Sequence, residues 1–319
     1  MSATTLNFPT KGRRDEGVLI SDLPILSGWS WPYVTITGEN DGPQATILAG
    51  VHGCEYVSIR AAVRLAREID PADVRGRILI LPIMNLPAFW ERTGFVCPFD
   101  GKNPNRFFPG NATGTFTEAM DYHIFTTCIA PSDALLDLHG GDIVEELIPF
   151  SVYSTGADAA VVARSRAMAA AFGLPYTIGR AVAPKGFAGM TYGAAAQRGI
   201  SGLIAEAGGI GQLTPPNVDL LVNGARRALQ AAGNLPGEPE PPSTIWVERV
   251  THVYATEGGF WISDVALGDA VREGQGIGRI YSLLGDEIET IAAPHDGAII
   301  LRTTSAAVKP NGLLLEVVQ

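Results

Sequence analysis

The chain has 319 residues, 46% of them hydrophobic, and 33 acidic against 23 basic side chains give it a net charge of −10. That is enough apolar material for one large core or two domains, and the acidic balance argues against nucleic acid or an anionic membrane surface as partner. No run approaches the ~20 apolar residues of a membrane-spanning helix, no signal-peptide core follows the polar start Met1 to Gly17, and Cys54, Cys97 and Cys128 are an odd, scattered set, so a cytoplasmic protein is expected.

Pro32 to Thr37 reads as a strand and Glu39 to Pro43 as a turn. Ala45 to Gly50 is a second strand, and it opens at Val51-His52-Gly53-Cys54-Glu55 into a helix, Tyr56 to Ile69. The helix places Val57, Ala61, Leu65 and Ile69 on one face and Arg60, Arg64 and Arg67 elsewhere, and Pro71 ends it. His52 offers an imidazole nitrogen and Glu55 a carboxylate, while Gly53 lets the backbone turn tightly enough to aim both at one point. Cys54 reads as a small buried hydrophobe rather than a ligand. Arg77 to Pro82 is almost wholly apolar, as in a strand buried on both faces of a parallel sheet.

From Asn85 to Gly114 the pattern dissolves into a loop of about thirty residues, a length that points to service at a site. Within it Asn105-Arg106 offers an amide and a planar guanidinium, suited to a carboxylate; the alternative is a solvated basic loop. Thr117 to Ile129 has helical spacing, with His123 on a face without a chemical role. Ala134 to Leu138 is a strand delivering His139, followed by Gly140-Gly141. Catalytic zinc takes three protein ligands and keeps one position open, and His52, Glu55 and His139 all lie past strand ends, where open α/β sheets bind ligands. The alternative for each histidine is a hydrogen-bonded structural role. Asp137, two positions before His139 and so on its side of the strand, is the expected partner for an imidazole N–H.

Leu147 to Tyr153 reads as a strand, Asp158 to Phe172 and Thr191 to Arg198 as helices, and Gly202 to Ala205 as a strand ending in Glu206-Ala207-Gly208-Gly209. Glu206 is either a general base or a structural carboxylate near the next helix, within Pro216 to Ala232. The alternation predicts an α/β layer structure with a parallel or mixed sheet. Gly233 to Ser243 is a stiff Pro-Glu linker. Beyond it, Trp246 to Tyr254, Gly259 to Ile262, Gly276 to Tyr281, Glu287 to Ile291, Ala298 to Arg302 and Leu313 to Val318 make a small all-β domain in which His252 and His295 read as structural.

His52-Gly53-x-Glu55, Asn105-Arg106, Asp137-Leu138-His139 and the strand-end Glu206, in that order, resemble the succinylglutamate desuccinylase and aspartoacylase family, relatives of the zinc carboxypeptidases. The resemblance covers roughly residues 30 to 235. It implies a zinc-carboxypeptidase-like mixed sheet flanked by helices, in a catalytic domain over 1–235. It further implies one Zn²⁺ held by His52, Glu55 and His139, a proton-carrying Glu206, and Asn105 and Arg106 gripping a carboxylate. Arg92 is the nearest match to the family's carbonyl-polarising arginine, although Arg92 to Pro98 does not follow the pattern cleanly. Cys54 and Pro104 depart from the usual residues, which touches pocket shape more than chemistry. Residues 244–319 resemble the barrel-sandwich biotinyl and lipoyl carrier domains through Gly268 to Gln275 and Ala293 to Gly297. Their hairpin Tyr281 to Glu287 has no lysine, so no attached cofactor is expected. The expected task of this domain is to pack beside the cleft, restrict access, or assemble subunits.

The family implies a zinc amidohydrolase removing a short acyl group from an N-acylated amino acid, of N-acetyl-diaminobutyrate, N-acetylaspartate or succinylglutamate type. Members with this two-domain layout include N-acetyl-diaminobutyrate deacetylases. Glu145 and Glu146 either attract a substrate ammonium or form a solvated acidic turn. A zinc carboxypeptidase acting on small peptides and a non-catalytic binding module are the alternatives. No Gly-x-Ser-x-Gly elbow and no phosphate-binding loop occur. A homo-oligomer with a small N-acyl amino acid substrate, and no nucleic-acid or membrane partner, is expected.

Overall fold

The computed structural model describes residues 6–181 and 189–319, so the first five residues of the polar start lie outside the described residues. Strands β1 (Arg13–Ile20), β2 (Ser30–Thr37) and β3 (Asn40–Ala49) open the chain. Two of these depart from expectation. Arg13–Ile20, read as polar start, is an antiparallel edge strand on β2, where one face needs no apolar residues. The expected turn 39–43 lies in the first half of β3, whose pairing with β4 (Arg75–Leu81) slips between Asn40 and Gln44.

Helix α1 (Tyr56–Glu68) buries Val57, Ala61 and Leu65, with Ile69 just past its end, as its spacing predicts. The loop expected over 85–114 contains a short α2 (Leu86–Glu91) and a 3-10 turn, Pro104–Arg106, each started by an asparagine side chain that accepts a backbone N–H. Next come α3 (Phe116–Ile124), β5 (Ala134–His139), β6 (Glu145–Leu147), β7 (Phe150–Ser154), α4 (Ala159–Phe172), β8 (Tyr176–Arg180), α5 (Thr191–Gln197), β9 (Ser201–Glu206), α6 (Pro215–Ala232) and β10 (Ile245–Val247). The single strand expected over 147–153 is thus two, in different sheets.

The main sheet is mixed, in the order β1-β2-β4-β3-β5-β9-β7-β8-β10. Side chains of its central strands alternate between two cores. Ala45, Ile47 and Ala49 pack with α1, α4 and α6 on one face, and Leu48, Leu79 and Leu135 pack with α3 and α5 on the other. The chain leaves β3 for β4 on one side and later returns to place β5 on the other. This reversal is a topological switch point, and it opens a crevice at the carboxyl ends of β3, β5 and β9.

Strands β11 (Val250–Tyr254), β12 (Gly259–Ser263), β13 (Ala270–Val271), β14 (Gly276–Tyr281), β15 (Glu287–Ala292), β16 (Gly297–Thr303), β17 (Ala307–Val308) and β18 (Leu313–Val318) form two further sheets, β11-β18-β16-β13 and β15-β14-β12-β17. Trp261 and Ile280 from one and Ile299 and Leu315 from the other share a core. The pairing also crosses between the two parts of the chain: β10 extends the main sheet beside β8, and β6 joins β16. Ile300 and Val318 accordingly pack with Phe150, Val152 and Ile204. Among the described residues no helix is long and apolar enough to cross a membrane.

Candidate active site

Parallel pairing sets Ala49 opposite Leu138 and His139 opposite Glu206, so the three central strands end at one level. His52 and Glu55 follow from β3 by way of Gly53. A Cβ on Gly53 would stand 2.3 Å from Phe89 N and 2.6 Å from Ala88 C, so this turn is packed backbone to backbone on α2. Glu55 occupies the cap position of α1 yet caps no helix N–H with its side chain. It lies instead between two imidazoles, Oε1 at 2.6 Å from His52 Nδ1 and Oε2 at 3.0 Å from His139 Nδ1.

One ligand atom from each of His52, Glu55 and His139 lies within 4.8 Å of the others, and all three residues are buried. The donor set of two imidazoles and one carboxylate suits a catalytic divalent zinc. Glu55 Oε2 is buried without a hydrogen-bond partner despite its close neighbours, which costs free energy unless a cation satisfies it. The residues therefore fit the metal that the sequence pattern implies. Burial alone would raise the Glu55 carboxyl, but His52 and His139 outweigh it and hold the group below the usual carboxylate range. Burial would lower His139, and Asp137 and Glu55 raise it well above its ordinary value instead.

Asp137 stands at the expected position, Oδ2 3.0 Å from His139 Nε2. The same oxygen accepts from Thr191 Oγ1. Asn103, which sequence reasoning did not single out, does for His52 what Asp137 does for His139. Its Oδ1 lies 3.0 Å from His52 Nε2 and accepts Asn105 N at 2.9 Å, which fixes Nε2 as the protonated nitrogen and leaves Nδ1 for a metal. The Asn103-Pro104 step was the available signal, since it is a turn start two residues before the Asn-Arg pair.

A cavity of about 160 Å³ lies in front of this cluster, and His52, Glu55, Asn105, Arg106 and Glu206 all line it. Asn105 Oδ1 is engaged by Thr191 N at 3.0 Å, which turns its NH₂ toward the open side. Glu206 ends β9. Burial, with the charges of Glu55, Glu145 and Asp137, raises it well above its ordinary value against the pull of His139. A carboxylate so placed takes and returns protons readily.

Arg92 is not brought to this cavity: it is exposed at the left-handed cap that ends α2, with φ 54°. Phe95 stands there instead, edge-on to His52 at 6.2 Å between centroids. Its φ of 61° is strained for a bulky residue, and Asp142 Oδ2 accepts its N–H at 2.8 Å and holds the turn. Cys54 points away, its thiol 3.9 Å from Ala88 O. His123 is buried against Trp31 in another part of the molecule.

The far wall comes from the C-terminal strands: His252 and Tyr254 of β11, Leu301 of β16, Leu313 and Glu316 of β18. His295 is structural as expected, bonded by Nδ1 to Asp296 O at 2.8 Å and by Nε2 to Thr251 Oγ1 at 3.0 Å. The same expectation for His252 is corrected, because the β11–β18 pairing carries it to the site, 3.7 Å from Glu316 Oε1. Burial, helped by Arg180 and Arg106, lowers His252 to about 4, and burial raises Glu316 to about 7. Arg180, at the end of β8, lies 3.5 Å from Glu316 and was also missed, since strand β8 itself went unread.

The sequence profile of the succinylglutamate desuccinylase/aspartoacylase catalytic domain matches residues 41–232. The chain is 34% identical over 287 residues to N-alpha-acetyl-L-2,4-diaminobutyric acid deacetylase of Halomonas elongata, covering 86% of this chain and 82% of that protein. The fold is similar to the product-bound Ectoine utilization protein EutE (DoeB) from Ruegeria pomeroyi, with TM-score 0.87 and 27% identity over 98% of this chain and 97% of that one. It is similar also to a succinylglutamate desuccinylase/aspartoacylase from Rhodobacter sphaeroides, with TM-score 0.86 and 25% identity over 99% and 98%.

Proposed function

Because the chain belongs to the succinylglutamate desuccinylase/aspartoacylase family, we propose that it is a zinc-dependent amidohydrolase that removes a short acyl group from an N-acylated amino acid. The observation that carries this reading is the meeting of His52, Glu55 and His139 at the strand ends, with Glu206 on the neighbouring strand and Asn105 and Arg106 lining the same cavity. His52, Glu55 and His139 would hold the ion. Zinc bound there supplies Lewis acidity, which polarises an amide carbonyl and acidifies water.

Asn105 and Arg106 grip the carboxylate of the amino-acid portion and aim the scissile amide inward. Glu206 removes a proton as water oxygen adds to the carbonyl carbon, then delivers it to the departing nitrogen as the C–N bond breaks. The products are a carboxylic acid and a free amine, and Glu206 ends the cycle as it began. The wall built by β11, β16 and β18 supports a small substrate over a peptide, since a cavity of about 160 Å³ leaves little room for a chain.

The same proposal includes residues 1–235 as catalytic domain and 244–319 as a barrel-sandwich domain of biotinyl or lipoyl type, supported by two sheets around one core. It includes a cytoplasmic setting, supported by three free, buried cysteines. It includes a homo-oligomer, supported by exposed Phe260, Ile262, Leu283, Leu284 and Ile288 on the β12–β15 side. Metal-replete protein assayed on a panel of N-acyl amino acids and on free dipeptides tests the reading. Turnover of the acylated amino acids is expected, and exclusive cleavage of dipeptides would replace it with a carboxypeptidase.

A further inference from the structure

The contacts that hold the metal ligands and those that hold the substrate-facing amide join into one closed ring. From Glu55 Oε1 the ring passes to His52 Nδ1 at 2.6 Å, from His52 Nε2 to Asn103 Oδ1 at 3.0 Å, and from that oxygen to Asn105 N at 2.9 Å. Asn105 Oδ1 then accepts from Thr191 N at 3.0 Å, the Thr191 hydroxyl donates to Asp137 Oδ2, and that oxygen lies 3.0 Å from His139 Nε2. His139 Nδ1, 3.0 Å from Glu55 Oε2, closes the ring. Thr191 opens α5, 86 residues along the chain from Asn105 and 54 from Asp137, and joins the two through its main-chain N–H and its hydroxyl.

This joint has little freedom. Thr191 and Asp137 are fully buried, and Asn105 is 2% exposed. Asp137 Oδ1 is buried without a hydrogen-bond partner among the described residues, so this carboxylate is stabilised through Oδ2, by the Thr191 hydroxyl and the His139 ring. Thr191 is β-branched and closely packed, which holds its hydroxyl and its N–H in one fixed relation. Movement of either partner is therefore passed to the other.

We propose that Thr191 is a positioning residue that couples the two halves of the site. Through it the Asn105 amide, which faces the substrate carboxylate, and the Asp137 carboxylate, which orients His139 for a metal, are set together. The role of Asn105 rests on the deacylase reading above; the coupling goes beyond it, because zinc affinity then depends on residues that are not ligands.

Zinc affinity of the full-length protein is read by chelator competition, with circular dichroism as the check on folding. Thr191→Val keeps the shape and the N–H but removes the hydroxyl. It is expected to weaken zinc binding ~10–100-fold, whereas Thr191→Ser stays near wild type. Asn105→Ala keeps the main-chain N–H that Asn103 accepts. It is expected to weaken zinc binding by at least ~3-fold in the wild-type background and to add nothing in Thr191→Val, since both act through one joint. At saturating zinc, Thr191→Val also raises KM for N-acyl amino acids by at least ~3-fold, while kcat changes less. Zinc affinity equal to wild type in Thr191→Val, an unchanged KM, or an equal loss from Asn105→Ala in both backgrounds overturns the coupling. Should Thr191→Val fail to fold, Asn105→Ala decides alone, and wild-type zinc affinity there overturns it. No hydrolysis of any N-acyl amino acid by the wild type overturns the deacylase reading and leaves the zinc measurements to judge Thr191.

Discussion

Asn103, Glu206 and Asp137 divide the work around the His52–Glu55–His139 cluster in ways that measurements can separate. Asn103 fixes the His52 ring by accepting from Nε2, so Asn103→Ala should weaken zinc affinity by ~10–100-fold while leaving the fold intact, as read by chelator competition and circular dichroism. Zinc affinity equal to wild type would deny Asn103 its orienting role. Glu206 touches the cavity but belongs to no ligand set, so Glu206→Gln should lower kcat by ~10²–10⁴ with full zinc content. Full activity in that variant would remove Glu206 from the reaction. Asp137→Ala is expected to weaken zinc retention on the His139 side, and unchanged zinc after dialysis would refute it.

At the level of elements, the site depends on turns that leave no room for a side chain. Gly53→Ala sets a methyl against the backbone of Ala88 and Phe89, so either β3's loop or α2 must move. The expected cost is roughly 1–3 kcal/mol of stability, seen as a lower Tm, together with lost zinc affinity because His52 and Glu55 shift with the turn. A Tm and zinc affinity matching wild type would show that this packing is looser than described. The strand ends were legible because Ala45 to Gly50, Ala134 to Leu138 and Gly202 to Ala205 are apolar runs ending in polar, reactive residues. Strands β1 and β8 were not, since an edge strand has one wet face and β8 carries Tyr176, Thr177, Gly179 and Arg180 among its five residues.

The whole molecule is held by exchange of strands between its two parts. Truncation after residue 243 would remove β10 and strip Ile300 and Val318 from the core they share with Phe150, Val152 and Ile204. The expected product aggregates or lacks near-ultraviolet circular dichroism, and a monomeric fragment with native signal would contradict this dependence. Glu316 couples the same interface to pH. Its folded value is about 7 against an ordinary 4.5, so the folded protein keeps this proton where the unfolded chain has lost it. Stability therefore falls as pH rises from about 4.5 through about 7, by on the order of 3 kcal/mol for this group, and levels off above. Urea unfolding at pH 5 to 8 should show a shallower fall in Glu316→Gln than in wild type. Parallel curves would place the titration elsewhere.

The sequence by itself determined the α/β layering and the spacing of His52, Glu55, His139 and Glu206, because hydrophobic periodicity and ligand spacing are local properties of a chain, and the resemblance of its motifs pointed to the family. Only the tertiary structure decided that Phe95 and not Arg92 faces the cavity, that Asn103 orients His52, and that Glu145 turns inward while Glu146 pairs with Arg302. It alone carried His252 and Glu316, far along the chain, to a site built at residues 52 to 206. Those placements follow from strand register and from pairing between distant segments, and register is set by the packing of both partners together, which no single segment encodes.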